Sequence, residues 1–411
     1  MTREPRVALF CETFHEINGV ALTARQLVAY AKRHSLPLLA IHGGKLPGNH
    51  VEGHVRQVEL KRSWLSVGIE CDLEFDFAFC RYLNRLRAEV LAFRPDVIHI
   101  TSPGELGELG VYLSRKLKIP LVASWHTNFH QFAGRRLQRL IGFLPTRVTR
   151  PTVAWAQERG LRILLWFYGF AKATLAPTPP QVAWLAEQLG KPSFLMPRGV
   201  DTEQFHPQHR TVEDGVLRLG FVGRVTPEKG VRLLRTVESA LLESGLQDFR
   251  ILVVGDGSEV PWLKRRLKRG ELTGVLRGED LARAYANMDL FVFPSRTDTY
   301  GNVVQEAAAS GVPAVVTNEG GPRHLVVDGE TGFVAEQDSE FVARVVELAH
   351  NRSLLRGLGK AARLKMAGIS WDAAFDKTYA AYRYCLEKEQ EQREDAGEKV
   401  KLRPARANPL R

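Results

Sequence analysis

Short apolar runs alternate along the chain with longer amphipathic stretches. Continuous apolar runs are typical of strands that are buried on both faces of a parallel sheet. An alternation of strand and helix predicts doubly wound α/β layers, in which helices cover each sheet. In the first half the predicted strands are 6–11, 37–42, 97–101 and 121–125, and the predicted helices are 19–32, 75–93, 106–117 and 184–189.

The same rhythm restarts after a polar connection that contains proline and glycine. We therefore predict two Rossmann-like domains that face each other across a cleft, with ligands outside the carboxyl ends of the strands. The second set of strands is 217–222, 250–254, 290–294 and 314–317, with helices 231–242, 261–268, 282–286 and 302–310. The predicted parts are a first domain 1–195, a connection 196–215, a second domain 216–370, a helix 371–390 that returns to the first domain, and a disordered basic tail 391–411.

The composition is that of a globular protein, with 44% hydrophobic and 25% charged residues among 411. No apolar run approaches the roughly 20 residues that a membrane-spanning helix needs, and the N-terminus carries no apolar signal core. The four cysteines are scattered, without a C-x-x-C pair or a metal-ligand spacing. We therefore expect a cytoplasmic protein with reduced thiols and no metal site.

The formal net charge of +11 predicts an anionic partner, which is nucleic acid, an acidic lipid surface or a phosphorylated small molecule. The stretch 135–172 carries eight Lys or Arg residues and one acid, Glu158, and it includes Trp155 and Trp166. Such a stretch is able to lie on anionic lipid headgroups. A solvated basic helix beside buried aromatic residues would give the same pattern.

A candidate anion site follows the first strand of the second domain. The segment 220–230 ends that strand in a glycine and then places Arg224 and Lys229 five residues apart in a loop with proline and glycine. Glycine lets the backbone approach a ligand closely. The two cations can neutralise a diphosphate from two sides, although two surface cations on a turn would also fit.

A second segment, 294–313, places a helix start after another strand. Gly301 or the next residue can cap this helix, and a helix N-terminus with free amides is an anion site. Asp298 lies before the helix and Glu306 about one turn inside it, so the two carboxylates can bind hydroxyls on either side of a phosphate. The exposed amides would be those of Asn302, Val303 and Val304.

Together, these segments resemble the nucleotide-sugar-binding domain of retaining glycosyltransferases of family 4, which have the GT-B fold. The family's two acids separated by seven residues appear here as Asp298 and Glu306, with aspartate in the first place. Further similar segments are 18–20, 196–207, 320–333 and 370–372. The resemblance thus spans most of the chain.

The resemblance implies a hexosyltransferase that takes its sugar from a nucleotide diphosphate with retention of configuration. Arg224 and Lys229 would hold the diphosphate, while Asp298 contacts sugar hydroxyls and Glu306 the ribose. The shorter side chain of Asp298 puts the particular sugar in doubt. The implied route is front-face transfer without a metal or other cofactor, in which a phosphate oxygen accepts the proton of the acceptor.

The resemblance also assigns roles in the first domain, on the acceptor side. The glycine loop with Gly19 would run close to the donor phosphate. His126 follows a strand at the edge of the reaction centre, where it would hydrogen-bond the donor sugar; a satisfied histidine at a strand end is the alternative. Glu12 and Glu16 lie near the glycine loop and could contact the acceptor.

The sequence does not identify the acceptor or the nucleotide base of the donor. The segments 124–132 and 298–303 are similar to those of enzymes that glycosylate lipids or phosphoinositides, so we expect a glycan or lipid acceptor, the latter at the inner face of a membrane. The donor is expected to be linked to UDP or GDP.

Two other classes fit parts of the pattern. A nucleotide-sugar epimerase of similar architecture would convert the donor without an acceptor. A basic nucleic-acid-binding protein would bind strands in a salt-dependent way, but no zinc-finger or aromatic RNA-binding signature is evident, and we expect no nucleic-acid partner.

Two short motifs resemble other sites only in part. Gly255 and Gly257 lack the third glycine of a dinucleotide fingerprint and predict a strand-to-helix turn. Between His126 and His130, a threonine stands where a zinc protease has glutamate.

Overall fold

The structure is a computed structural model that describes residues 3–16, 18–64, 66–70, 73–76, 78–126 and 146–401. Within these ranges the chain forms two compact units. The first contains the described residues up to 126 together with 159–196 and 375–401, and the second contains 146–158 and 197–374. Both are α/β units with a largely parallel sheet, as the alternating pattern predicts.

An eight-stranded sheet forms the centre of the first unit. Its strands are β1 (Val7–Cys11), β2 (Leu38–Gly44), β3 (Gly48–Glu52), β4 (Val55–Lys61), β7 (Val97–Ile100), β8 (Leu121–Ser124), β9 (Ala173–Ala176) and β10 (Ser193–Leu195), and a separate hairpin joins β5 (Ser66–Glu70) to β6 (Leu73–Asp76). The order is β10-β9-β8-β7-β1-β2-β4-β3, and only β3 with β4 is antiparallel. The chain runs outward from β1 through β2 and later from β7 through β8, so the strand order reverses between β1 and β7.

The first helix of this unit begins at a side-chain cap. The Asn18 side chain caps the first helix by accepting hydrogen bonds from the amides of Val20 (3.1 Å) and Ala21 (2.9 Å). β1 is buried along its whole length, which explains its continuous apolar run. The helices are α1 (Gly19–Arg33), α2 (Leu83–Phe93), α3 (Glu105–Leu117), α4 (Thr146–Tyr168) and α5 (Pro179–Leu189). Residues 146–158 of α4 are counted with the second unit.

A six-stranded parallel sheet forms the second unit. Its strands are β11 (Leu217–Val222), β12 (Phe249–Val254), β13 (Gly270–Gly274), β14 (Leu290–Phe293), β15 (Ala314–Thr317) and β16 (Gly332–Ala335). The order is β13-β12-β11-β14-β15-β16, so here the reversal falls between β11 and β14. The helices are α6 (Leu233–Glu243), α7 (Val260–Arg266), α8 (Gly278–Ala286), α9 (Asn302–Ala309), α10 (Asp338–His350), α11 (Arg352–Met366) and α12 (Trp371–Lys401).

The connection after residue 196 is held by α11 and by the start of α12. Arg363 on α11 donates to the carbonyl oxygens of Thr202, Phe205 and Ala309, which ties the connection to the end of α9. A side chain at Gly199 would overlap the backbone of Trp371. Two of the segments that resemble family 4 therefore pack against each other for a steric reason.

The long helix α12 contributes to the first unit from residue 375 onward. Tyr30 donates to Asp376 (2.5 Å), and Tyr382 hydrogen-bonds to His99 (2.7 Å) on the buried strand β7. Both contacts lie within the first unit, to which the sequence assigned the returning helix 371–390.

The structure differs from the predicted local structure in two places. Of the helix predicted over 75–93, only the part from Phe79 is helical, as a 3₁₀ turn over Phe79–Tyr82 followed by α2. The Asp76 carboxylate accepts hydrogen bonds from Ser63 and from the Ala78 amide instead. The tail predicted to be disordered from 391 is helical through Lys401. Its alternating charges pair along the helix, as between Lys388 and Glu391 (2.5 Å). The remainder, 402–411, lies outside the described residues.

No helix in the described ranges is long and apolar enough to cross a bilayer. Most of the basic stretch 135–172 is described, as α4 from residue 146 onward. Of the lipid-enzyme-like segment 124–132, everything after His126 lies outside the described residues.

Candidate functional site

The predicted cations and the first predicted acid meet where the second sheet reverses its strand order. Arg224 and Lys229 follow β11, Asp298 follows β14, and these two strands are neighbours in the sheet. Loops at the carboxyl ends of such a strand pair diverge and leave a crevice, which is where open α/β sheets bind ligands. The structure thus brings together residues that are 69 positions or more apart in sequence.

Lys229 and Asp298 form an ion pair. The Lys229 Nζ atom lies 2.6 Å from Asp298 Oδ1, and Lys229 is buried with an exposed fraction of 9%. Burial opposes ionisation of Asp298, but the charge and hydrogen bond of Lys229, with a further contribution from Arg224, hold its pKa below the usual value. The half-buried Arg224 also helps to lower the pKa of Glu228, against the effect of burial and alongside a hydrogen bond from Thr226. Two cations therefore share a pocket with ionised carboxylates.

The loop with the cations is held by close backbone contacts. Gly230 has φ +67°, and a side chain there would meet the carbonyl oxygen of Pro294 at the end of β14. Side chains at Gly255 and Gly257 would overlap the carbonyl oxygens of Gly223 and Val225. The two glycines after β12 do form a strand-to-helix turn, as predicted, and they also support the Arg224 loop, which the sequence did not reveal.

Helix α9 starts at the predicted position, with Gly301 as its N-cap. Gly301 has φ +101°, and a side chain there would come within 2.9 Å of Pro322 Cγ. Asn302 and Val303 are half-buried, whereas Val304 is buried and its amide donates to the Gly301 carbonyl oxygen at 2.9 Å. The Val304 amide is thus engaged inside the first turn.

Glu306 projects from the second turn of α9 against a buried tyrosine. The Tyr285 hydroxyl donates a hydrogen bond to Glu306 Oε2 over 2.8 Å. Burial raises the pKa of Glu306 to about 7, and the hydrogen bond from Tyr285 limits that rise. Sequence reasoning missed Tyr285, because its position in α8 reads as an ordinary core residue.

The predicted residues of the first unit also lie at strand ends or helix starts. Gly19 is exposed and is the first residue of α1, directly after the Asn18 cap. His126 follows β8 with an exposed fraction of 6%. Its neighbour Trp125 packs against Tyr168, with ring centroids 4.9 Å apart. The structure places Gly19 and His126 in the first unit and the cations and acids in the second.

Glu12 is a buried acid where the first sheet reverses its order. It follows β1, and a side chain on Gly104 at the start of α3 would overlap Glu12 Oε2. Neither carboxylate oxygen has a hydrogen-bond partner among the described residues. Burial raises the pKa of Glu12 to about 8, although the charge of Arg62 opposes the rise. Glu16 differs, because its carboxylate pairs with Arg62.

A doubly wound sheet pair with a cationic, acid-flanked crevice in one unit defines a glycosyltransferase of the GT-B class. Residues 17–204 match the family described as Glycosyltransferase Family 4, and residues 217–351 match Glycosyl transferases group 1. The chain belongs to glycosyltransferase family 4, and it is a hexosyltransferase.

Relatives and solved structures agree with this assignment. The chain is 32% identical to a GDP-mannose-dependent alpha-mannosyltransferase of Mycobacterium tuberculosis, over 92% of this chain and 96% of the relative. It is 31% identical to a protein of the same description from Mycolicibacterium smegmatis, over 93% and 98%. Its fold resembles that of sucrose-phosphate synthase from Thermosynechococcus elongatus, with a TM-score of 0.71 and 17% identity over 94% of this chain and 100% of that one.

Proposed function

We propose that this protein transfers mannose from GDP-mannose, with retention of configuration, to a hydroxyl of a lipid-linked acceptor at an anionic membrane surface. The single observation that carries the donor assignment is the meeting of Arg224, Lys229 and Asp298 at the strand-order reversal beside the start of α9. The GDP-mannose dependence of the relatives over nearly the whole chain supports the choice of nucleotide and sugar.

The donor diphosphate would lie between the two cations and the start of α9. Arg224 offers a planar fork and Lys229 a point charge, and the helix start adds the amides of Asn302 and Val303. A bound diphosphate would interact with Lys229 and weaken the ion pair between Lys229 and Asp298. The Asp298 carboxylate is then able to accept hydrogen bonds from sugar hydroxyls, and Glu306 from the ribose.

In the transfer step, the bond between the anomeric carbon and the diphosphate oxygen breaks, and a bond forms to the acceptor oxygen on the same face. The acceptor proton passes to an oxygen of the leaving diphosphate. Lys229, Arg224 and the helix start stabilise the negative charge that develops there. Because the cations neutralise this charge, we propose that the step proceeds without a metal ion. His126 and Gly19 keep the predicted roles at the donor sugar and phosphate.

Glu12 is our candidate for contact with the acceptor. At pH 7 a carboxyl with a pKa of about 8 is mostly neutral, so it can both donate and accept a hydrogen bond. A hydroxyl-bearing acceptor would satisfy both oxygens, which have no partner among the described residues. A group that both donates and accepts hydrogen bonds suits the hydroxyls of a polyol.

Helix α4 supports an acceptor at a membrane surface. Trp155 and Trp166 are 65% and 67% exposed, and eleven residues of α-helix bring them to the same face, three turns apart. Arg159 and Arg162 are exposed on that face between them. Tryptophan rings with interleaved arginines suit the headgroup region of an anionic bilayer.

The donor experiment incubates the chain in EDTA with GDP-mannose, GDP-glucose, UDP-glucose and UDP-mannose, with and without an extract of polar lipids. We expect transfer only from GDP-mannose, only with acceptor, and with an α-linked product by NMR. Conversion of donor without acceptor would identify an epimerase instead. Activity that requires added Mg²⁺ would contradict the metal-free step.

The membrane experiment measures co-flotation with vesicles of phosphatidylglycerol or phosphatidylcholine. We expect binding to the anionic vesicles, reduced by about tenfold or more in a variant with Trp155→Ser and Trp166→Ser, since each ring removes a large apolar area from water. The matched control is Trp64→Ser, which replaces an exposed tryptophan outside α4. Equal binding by all three proteins would refute the role of α4.

A further inference from the structure

Three potential metal ligands that the proposed transfer step does not use meet at one edge of the first unit. His15 lies in the loop between β1 and α1, His42 on β2, and Glu59 on β4. One ligand atom from each lies within 4.8 Å of the other two. His15 Nε2 and Glu59 Oε1 are 3.5 Å apart. This distance is close to the separation of about 3.4 Å between two ligand atoms of a tetrahedral zinc ion at ordinary bond lengths.

The strand register explains why the two sheet residues converge. His42 and Glu59 are direct partners on the parallel strands β2 and β4, so their side chains leave the same face of the sheet. A side chain at Gly44 would overlap the carboxylate of Glu59. The glycine therefore provides the space in which this carboxylate lies beside the histidine.

The surroundings of His42 suit one tautomer of its neutral ring. Its Nδ1 atom lies 3.4 Å from the carbonyl oxygen of Gly43, to which an Nδ1 proton would be donated. In that tautomer Nε2 offers its lone pair to a metal ion. A ligating histidine typically donates its other ring N–H to a carbonyl in this way. Phe14 stacks on the ring of His42 with centroids 4.0 Å apart and limits its rotation.

We propose that His15, His42 and Glu59 bind one Zn²⁺ ion, with a fourth position left for water. Two imidazoles and one carboxylate form a ligand set that zinc favours. The ion would reach the site from solvent at the half-exposed His15, and the buried His42 would be held in place by its packing. Bound zinc would tie the loop before α1, which carries Glu12 and leads to Gly19, onto the edge of the sheet. The diphosphate chemistry of the second unit does not use it.

The test uses the full untagged chain after EDTA treatment and buffer exchange. We expect one equivalent of Co²⁺ to give visible absorption bands of a four-coordinate ion, and Zn²⁺ to displace it. Zinc should also raise the midpoint of thermal unfolding, because it binds the folded chain. The measurement needs no sugar donor, so its failure would leave the proposed transferase function untouched.

Variants separate a built site from adventitious binding. His15→Ala and Glu59→Gln should each weaken Co²⁺ binding by tenfold or more, whereas His54→Ala, at an exposed turn of the same unit, should not change it. Because His42→Ala removes a buried ring and thereby affects folding as well, the half-exposed His15 is the position at which the variant tests metal binding alone. Binding that is absent in the wild type, or unchanged in His15→Ala, would overturn the proposal.

Discussion

The Nζ atom of Lys229 lies 2.6 Å from Oδ1 of Asp298, across the point where the second sheet reverses its strand order. This ion pair would affect donor binding as proposed above. A bound diphosphate would compete with Asp298 for the lysine, and the displaced carboxylate would become available to the sugar. The two residues would thus couple binding of the phosphates to binding of the hexose.

The first prediction concerns Asp298→Asn. GDP should bind more tightly, because Lys229 then meets the diphosphate without a competing carboxylate. Transfer should fall by about tenfold or more, as the loss of roughly 1.4 kcal/mol of transition-state stabilisation implies. Calorimetry with GDP and initial rates with the sugar donor separate the two effects. Asp280→Asn, an exposed acid of the same unit, is the control; weaker GDP binding in Asp298→Asn alone would contradict the coupling.

The second prediction concerns pH and Glu306. The pKa of this carboxyl is raised to about 7, and the ribose is expected to bind its ionised form. Below pH 7 the donor must displace a proton, so its affinity should fall by up to about tenfold per pH unit. Tyr285→Phe removes the hydrogen bond that stabilises the carboxylate and should move this dependence to higher pH. Glu306→Gln should abolish it, and an unchanged profile in Glu306→Gln would exclude this carboxyl as its origin.

The third prediction concerns the start of α9. Gly301→Ala forces a side chain into a left-handed conformation and against Pro322, so the first turn must shift. We expect a lower midpoint of thermal unfolding and a higher KM for the donor. Gly357→Ala is the matched control, because the space around Gly357 in α11 is open, and it should stabilise the helix by about 0.5–1 kcal/mol. Equal behaviour of the two variants would argue against the constraint at Gly301.

The fourth prediction concerns Glu12. Its pKa of about 8 keeps it neutral at pH 7, and ionisation above pH 8 removes the proton it would donate to an acceptor hydroxyl. The KM for the acceptor should therefore rise above pH 8, while that for the donor should not. Glu12→Gln mimics the neutral carboxyl and should retain acceptor binding at pH 7 without the alkaline loss. A Glu12→Gln enzyme with the wild-type alkaline profile would exclude this residue.

Four of the six strands of the second unit could be predicted, because strands buried on both faces give continuous apolar runs, whereas the edge strands β13 and β16 were missed. The intervals 217–222 and 314–317 agree with β11 and β15. The β3–β4 hairpin was missed, since β3 lies at the edge and is mostly exposed, which leaves its sequence polar. The start of the helix at 75 was predicted wrongly, because 73–76 form a strand and the hydrogen bond of Asp76 with Ser63 is a tertiary contact that leaves no local pattern.

For the site, sequence reasoning identified the individual cations and acids but not their pairing. The spacing of glycines, cations and acids is visible locally in the sequence, so Arg224, Lys229 and Asp298 could be selected as candidates. The ion pair between the last two depends on which strands become neighbours, and Tyr285 is hidden in the apolar stripe of α8. Contacts of this kind are set by topology rather than by spacing along the chain.

The central claim is that Arg224 and Lys229 hold the donor diphosphate, and calorimetric titration of GDP-mannose in EDTA tests it most directly. We expect Arg224→Ala and Lys229→Ala each to weaken binding by about tenfold or more, as loss of a charge-assisted hydrogen bond of roughly 1.5–3 kcal/mol implies. Lys268→Ala, an exposed lysine of the same unit, should bind like the wild type. Wild-type affinity in both the Arg224 and the Lys229 variants would contradict the account.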